Sequence, residues 1–306
     1  MTNLLITGAS GLLGLNLALV AVNQGYQVTG WSNSRSLAGV PFATQKVDLN
    51  DLAEIPGKLR ALSPDVIIHC AAMADIDRAE QNPSMANLVN ARVPGLIASS
   101  AAEIGAQLVH ISTDAVFDGA QDDYRESDTP NPISVYAKTK LEGEQAVAQA
   151  NPEAIIARVC FYGWSASGSR SLAEFFYNHL KAEQTVKGFT DVTFTPLYVE
   201  HLARILLQMI QKELSGLYHV FGTQPISKYA FGVSLARQFE LDESLISPLS
   251  VHDSGLAAAR SLNLSMNTDK LQAALDGTLP GQIEGLQAFY NAWQAGLPAR
   301  LHAFIA

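Results

Sequence analysis

Tyr136 and Lys140 stand four residues apart in "SVYAKTK", just after a proline-broken loop, "ESDTPNPI", and at the start of a helical pattern, "LEGEQAVAQA". At that spacing a phenol and an ammonium share one helix face. A free phenol ionises near pH ~10, and a neighbouring cation favours its ionised form. The pair therefore suits delivery of a proton to the alkoxide that forms when a hydride reaches a ketone, with the positive nicotinamide of an oxidised cofactor adding to the effect. A third residue fits the same chemistry. The strand pattern "AQLVHIS" ends in "STDAVFDG", which puts Ser112, Thr113 and Asp114 at the carboxyl edge of a sheet. From there the Thr113 hydroxyl can hydrogen-bond the substrate oxygen, while Lys140 can also hold the nicotinamide ribose. Alone, a tyrosine–lysine pair at this spacing is usually solvated surface; the rest of the chain gives it meaning.

A glycine-rich stretch supplies the partner for that chemistry. In "TGASGLLG", directly after the strand pattern "NLLIT", Gly8, Gly11 and Gly14 are spaced GxxGxxG at the opening of a helix. Glycines there allow a tight turn, close approach of backbone to a pyrophosphate, and close helix–strand packing. Ser10, Leu12 and Leu13 belong to the same loop and helix start, whose unpaired N–H groups favour phosphate. The second strand ends in "GWSNSRS", with Ser32, Asn33, Ser34 and Arg35 where NAD-selective sites carry an acid. That set suits a 2′-phosphate, so NADPH is expected over NADH. Asp48 and Leu49, after the next strand, are expected to border the adenine.

The elements that must position these residues follow from periodicity. Residues 3–7, 27–31, 64–69, 106–112 and 153–159 read as buried strands, with a weaker one at 42–47. Helical patterns at 12–24, 51–62 (imperfect because of Pro56) and 84–104 lie between them. Such alternation predicts an α/β fold: a doubly wound parallel sheet covered on both faces. The rhythm breaks near residue 160. Residues 1–160 are therefore expected to form a Rossmann domain, and residues 161–306 a smaller lobe over the carboxyl ends of the strands, with one further sheet strand near 216–222.

Composition narrows the classes of function. A net charge of -9, with no lysine or arginine run, argues against nucleic acid and anionic membrane surfaces. No apolar run approaches the ~20 residues of a membrane span, and the amino terminus lacks the basic region of a signal peptide. Cys70 and Cys160 have neither a CxxC partner nor histidines at ligand spacing, so neither a metal site nor a disulfide is expected. A cytoplasmic protein is the expectation.

The glycine motif, the strand end "HCAA" (Cys70, Ala71 and Ala72 with His69), Asn90 in its helix, "STDAVFDG" and "YAKTK" together resemble the extended short-chain dehydrogenase/reductases. Within them, the order through "VYAKTKLEGE" is similar to the dTDP-4-dehydrorhamnose reductase branch. The match is dense over residues 1–160 and traceable to about residue 275. The resemblance implies an NADP-binding Rossmann domain, a lobe that binds a nucleotide-activated sugar, and a homodimer. It also implies a catalytic triad of Thr113, Tyr136 and Lys140, with Cys70, Ala71, Ala72 and Asn90 beside the cofactor, Asn90 holding a backbone kink or a relay water.

This chain departs from that pattern near the sugar. Ala115 stands where dehydratases carry a glutamate and these reductases commonly a tyrosine. "RVCFYG" has Phe161 and no tryptophan, and Ser261 replaces proline after Arg260. Asp77, Asp114, Phe161, Thr195 and Arg260 are the substrate-side candidates, with Arg170 and Tyr198 behind them; His69 and His110 read as satisfied core residues. Two alternatives stay open. The regulatory subunit of methionine adenosyltransferase resembles the same reductases and keeps similar motifs, so a non-catalytic binding role is one. An epimerase is the other, though the absent acid at Ser32 argues against it.

Overall fold

The computed structural model describes residues 1–33, 35–253 and 261–305. Its centre is a parallel sheet of seven strands: β1 (Asn3–Thr7), β2 (Gln27–Ser32), β3 (Ala43–Lys46), β4 (Val66–His69), β5 (Gln107–Thr113), β6 (Ile155–Val159) and β7 (Gly216–Val220). They lie in the order β7-β6-β5-β4-β1-β2-β3. The order reverses between β1 and β4, and in open sheets of this kind the crevice at that point binds ligands.

The strand sequences explain why both faces are covered. Leu4, Ile6, Val66, Ile68, Val109 and Ile111 project to one face, whereas Leu5, Ile67 and Leu108 project to the other, and all are buried. Each such side chain contributes about 1.5–3 kcal/mol when withdrawn from water. Helices α1 (Leu12–Asn23), α2 (Glu54–Leu62), α3 (Val93–Ile104), α4 (Val135–Ala150), α5 (Leu172–Lys181) and α6 (Val199–Gln211) follow in chain order. α1 and α6 pack on the first face, and α2, α3 and α4 on the second. The later part of the chain thus supplies both β7 and a helix that covers the sheet. Pro56 is tolerated because it falls in the first turn of α2, where its missing N–H has no intrahelical acceptor.

The helical pattern at 84–104 is not one regular helix. Residues Pro83–Asn87 form a short α-helix, Leu88–Arg92 a π-helical turn, and α3 follows. Asn90 lies in that turn. Outside the sheet, Val186–Phe189 pairs with Ile246–Leu249, and Thr193–Phe194 lies between Ile226–Ser227 and Asn263–Leu264. Thr193, Phe194 and Leu264 from these pairs share a hollow with Thr113 and Cys160, at the carboxyl ends of β5 and β6. A helix over Gln282–Gln294 closes the fold, its Phe289 stacked on Trp164 at 4.1 Å between ring centres. None of the described helices is long and apolar enough to cross a membrane.

Candidate active site

α4 begins where Ser134 takes an extended conformation and its hydroxyl accepts the N–H of Ala137 at 3.2 Å. Losing such a cap costs about 1 kcal/mol. Tyr136 therefore lies in the first turn, where the positive end of the helix favours negative charge. Lys140, one turn later, is buried. Its Nζ donates to the carbonyl of Ile111 at 2.6 Å and faces His110 Nε2 at 3.4 Å. Thr113, the last residue of β5, donates to Asp114 Oδ1 at 3.1 Å, accepts from Ala115 N at 3.2 Å, and hydrogen-bonds the phenol of Tyr136. Thr113, Tyr136 and Lys140 thus meet where α4 crosses the end of β5.

The electrostatics differ from the expectation in one respect. Burial pushes the Tyr136 phenol up to about 12, against the influence of its hydrogen bond with Thr113. No hydrogen bond joins phenol and ammonium among the described residues. Desolvation of the hydroxyl, reinforced by the neighbouring Asp114 and Cys160, holds the phenol protonated, the state a proton donor needs. Burial also brings Lys140 down to about 8, against the opposing influence of Glu144 and Cys70. Asp114 is raised to about 6 by its own burial, although Thr113, Cys160 and Lys228 all favour its ionised form.

Two hollows flank this cluster. The first is a cleft at the sheet's switch point, lined by Gly8, Ser10 and Gly11 at one end and by Ser32, Asn33, Asp48 and Leu49 at the other. Gly8 has φ +66°, and a Cβ on Gly14 would stand 2.3 Å from the carbonyl oxygen of Gly8, so neither position admits a side chain without moving backbone. The first i→i−4 bond of α1 runs from Leu15 N to Gly11 O. The N–H groups of Leu12, Leu13 and Gly14 precede it and have no acceptor within the helix, while the Leu13 side chain is core. Asp48 accepts from Asn33 Nδ2 at 2.9 Å and Asn50 N at 3.0 Å, so it fixes the polar tip after β2. Arg35 is half-buried just beyond; Ser34 lies outside the described residues. Cys70, Ala71 and Ala72 form the floor. These features fit a dinucleotide: free N–H groups for phosphate, and a tight glycine turn whose backbone contacts leave no room for a Cβ at Gly8 or Gly14.

Asn90 stands behind that floor. It accepts from Met73 N at 2.9 Å and donates to Met73 O at 3.2 Å and to Thr139 Oγ1 at 3.1 Å. Its amide ties the loop after β4 to α4, and its own backbone forms the π turn.

The second hollow opens beyond Thr113, Asp114 and Tyr136. Val192, Thr193, Phe194 and Lys228, from later in the chain, line it together with Ile76 and Ile133. Several substrate-side candidates are not on that lining. Asp77 is exposed on the helix Ile76–Gln81, whose first residue lines the hollow in its place. Phe161 is replaced on the lining by Cys160. Thr195 is buried, its hydroxyl spent on Leu264 O and Met266 N, both at 3.2 Å. Tyr198 is core, near Phe289. Arg260 lies outside the described residues, and Ser261 beside it lines the hollow while donating to Phe117 O at 2.8 Å. Arg170 lines the dinucleotide cleft, not the substrate side. His110, read as core, faces the ammonium of Lys140. Lys228 and Thr193 carry no motif and could not have been singled out from sequence. Among the described residues no cluster of His, Cys, Asp and Glu could hold a metal ion.

A family profile described as RmlD substrate binding domain matches residues 1–295. A probable low-salt glycan biosynthesis reductase from Haloferax volcanii is 31% identical over 298 residues, covering 95% of this chain and 99% of that protein. Methionine adenosyltransferase 2 subunit beta from Xenopus tropicalis is 33% identical over 275 residues, covering 88% and 81%. Among solved structures, a dTDP-4-dehydrorhamnose reductase from Bacillus anthracis in complex with NADP superposes with a TM-score of 0.85 at 27% identity, covering 95% of this chain and 99% of that one. The chain belongs to the RmlD substrate binding domain family, within the extended short-chain dehydrogenase/reductases.

Proposed function

We propose that the protein uses NADPH to reduce a keto group on a nucleotide-activated sugar. The observation that carries this reading is the meeting of Thr113, Tyr136 and Lys140 between a glycine-lined dinucleotide cleft and a hollow lined in part by residues from later in the chain. The dinucleotide, when bound, supplies the hydride. Thr113 turns its hydroxyl to the substrate oxygen. Tyr136 donates its proton as negative charge develops on that oxygen. Lys140 and the start of α4 then stabilise the phenolate. The test is NADPH oxidation with a panel of nucleotide-linked keto-sugars; a panel without turnover, at concentrations well above micromolar, counts against the reading.

The polar tip after β2 supports the choice of cofactor. NADPH is expected to bind at least about tenfold more tightly than NADH, since one charge-assisted contact to the 2′-phosphate contributes that much. Titrating the fluorescence of both reduced cofactors measures it, and equal or tighter NADH binding would refute the preference.

The Lys140 ammonium sets an expected pH dependence. Its pKa in the protein is lowered to about 8, so the charged form is present below that value and lost as pH rises through it. kcat/KM for reduction, which reports the free enzyme, should be level near neutrality and fall above about pH 8. A profile still level at pH ~10 would mean that the ammonium is not required.

A second reading has its own support. Methionine adenosyltransferase 2 subunit beta proteins from several animals are relatives of this chain at 30–33% identity. A non-catalytic subunit that binds the dinucleotide is consistent with that likeness. Stoichiometric capture of a methionine adenosyltransferase, together with absence of turnover, would favour it.

A further inference from the structure

We infer that Arg170 is a cofactor-binding residue whose guanidinium pairs with the pyrophosphate of the dinucleotide. The inference rests on the dinucleotide reading above and assigns to it a residue from the second half of the chain. Among the described residues lining the cleft, Arg170 is the only cation. A pyrophosphate carries negative charge that the glycine loop meets only with N–H dipoles and a partial helix charge. A guanidinium offers paired donors matched to phosphate oxygens.

An arginine on an exposed loop is most often only solvated, and the way this loop is built argues otherwise. The loop from Ser165 to Ser171 is anchored on Glu174, a fully buried carboxylate. Glu174 accepts from Ser165 N at 2.6 Å, Ser165 Oγ at 2.9 Å, Arg170 N at 2.7 Å and Ser171 N at 3.1 Å. Asn178 Nδ2 holds Gly168 O at 2.7 Å. The acid thus fixes the backbone of Arg170 and takes no hydrogen bond from its guanidinium, which has no acceptor among the described residues. Residues just before the loop pack on the start of α1: Asn16 Nδ2 donates to both Leu12 O, at 2.8 Å, and Trp164 O, at 2.9 Å. A pyrophosphate would lie at that same helix start. The adenosine end of the cleft, where a 2′-phosphate would lie, is lined instead by Ser32 and Asn33.

The test is binding, so it does not depend on turnover. Dissociation constants for NADPH, NADH and 2′-AMP, which lacks a pyrophosphate, are measured for the wild type, Arg170→Ala and Arg170→Lys. Arg170→Ala is expected to weaken NADPH and NADH by the same factor, about 10- to 100-fold, and to leave 2′-AMP unchanged. Arg170→Lys, which keeps the charge but loses the paired donors, should fall between. Loss confined to NADPH, equal loss for 2′-AMP, or no change in either dinucleotide would each overturn the assignment while leaving the cofactor reading intact. A wild-type protein that binds neither dinucleotide would overturn both.

Discussion

Tyr136→Phe is expected to lower kcat by about 10²- to 10⁴-fold while leaving NADPH binding and thermal stability nearly unchanged. The factor is what a positioned proton donor ordinarily contributes. The phenol hydroxyl has Thr113 as its partner and stands at the edge of the hollow, so removing one oxygen there opens no cavity in the core. Stopped-flow measurement of NADPH oxidation with a nucleotide-linked keto-sugar, beside fluorescence titration of NADPH, separates the chemistry from cofactor binding. Activity within a factor of ten of wild type would remove the phenol from the mechanism. A parallel loss of cofactor affinity would instead mean that the change had disturbed the cleft.

The second large effect concerns stability, one turn beyond Lys140. Glu144 and Arg158 form a buried pair, with Arg158 Nη2 to Glu144 Oε2 at 2.7 Å and Arg158 Nε to Glu144 Oε1 at 2.9 Å. Ser112 adds a third bond to the carboxylate at 2.5 Å, and the guanidinium stacks on the Phe117 ring at 4.9 Å. Tyr136, Lys140 and Glu144 follow one another at four-residue spacing along one face of α4, and Ser112 immediately precedes Thr113. The pair therefore joins the helix that carries the phenol to β6, and the Ser112 bond joins the same carboxylate to β5, the strand that carries the threonine. Arg158→Met would leave an uncompensated carboxylate in the interior, at a cost of about 3–5 kcal/mol. Changing both partners, Glu144→Leu with Arg158→Met, removes the buried charges and is expected to recover most of that loss. Urea unfolding of the single and double variants measures it. A single variant within about 1 kcal/mol of wild type would show that water or a rearranged neighbour already compensates the charge.

How much of this could be read in advance varies from residue to residue. The 84–104 segment shows one limit. Its periodicity is helical throughout, yet a π turn interrupts it at Leu88–Arg92. The interruption coincides with Asn90, whose carboxamide is held by Met73 and Thr139. Those partners are remote in sequence, so no local pattern records them. The phenol is another case. The sequence places an ammonium one turn away and suggests a lowered pKa, but the balance depends on how much water is excluded, which only packing determines. Arg170 is a third: the chain places it in the substrate half, while anchoring on Glu174 delivers it to the dinucleotide cleft.

The amino-acid sequence by itself determined the strand–helix alternation, the glycine turn and the order in which Thr113, Tyr136 and Lys140 arrive at the sheet edge. These depend on short-range rules: residue periodicity, the backbone freedom of glycine, and the four-residue repeat of a helix face. Tertiary structure alone decided which side chains wall the second hollow, because Ile76, Ile133, Val192 and Lys228 come from segments far apart in the chain. It also decided the protonation of Tyr136 and Lys140. Their charges answer first to desolvation, a property of the folded surroundings, and only second to charged or hydrogen-bonding neighbours.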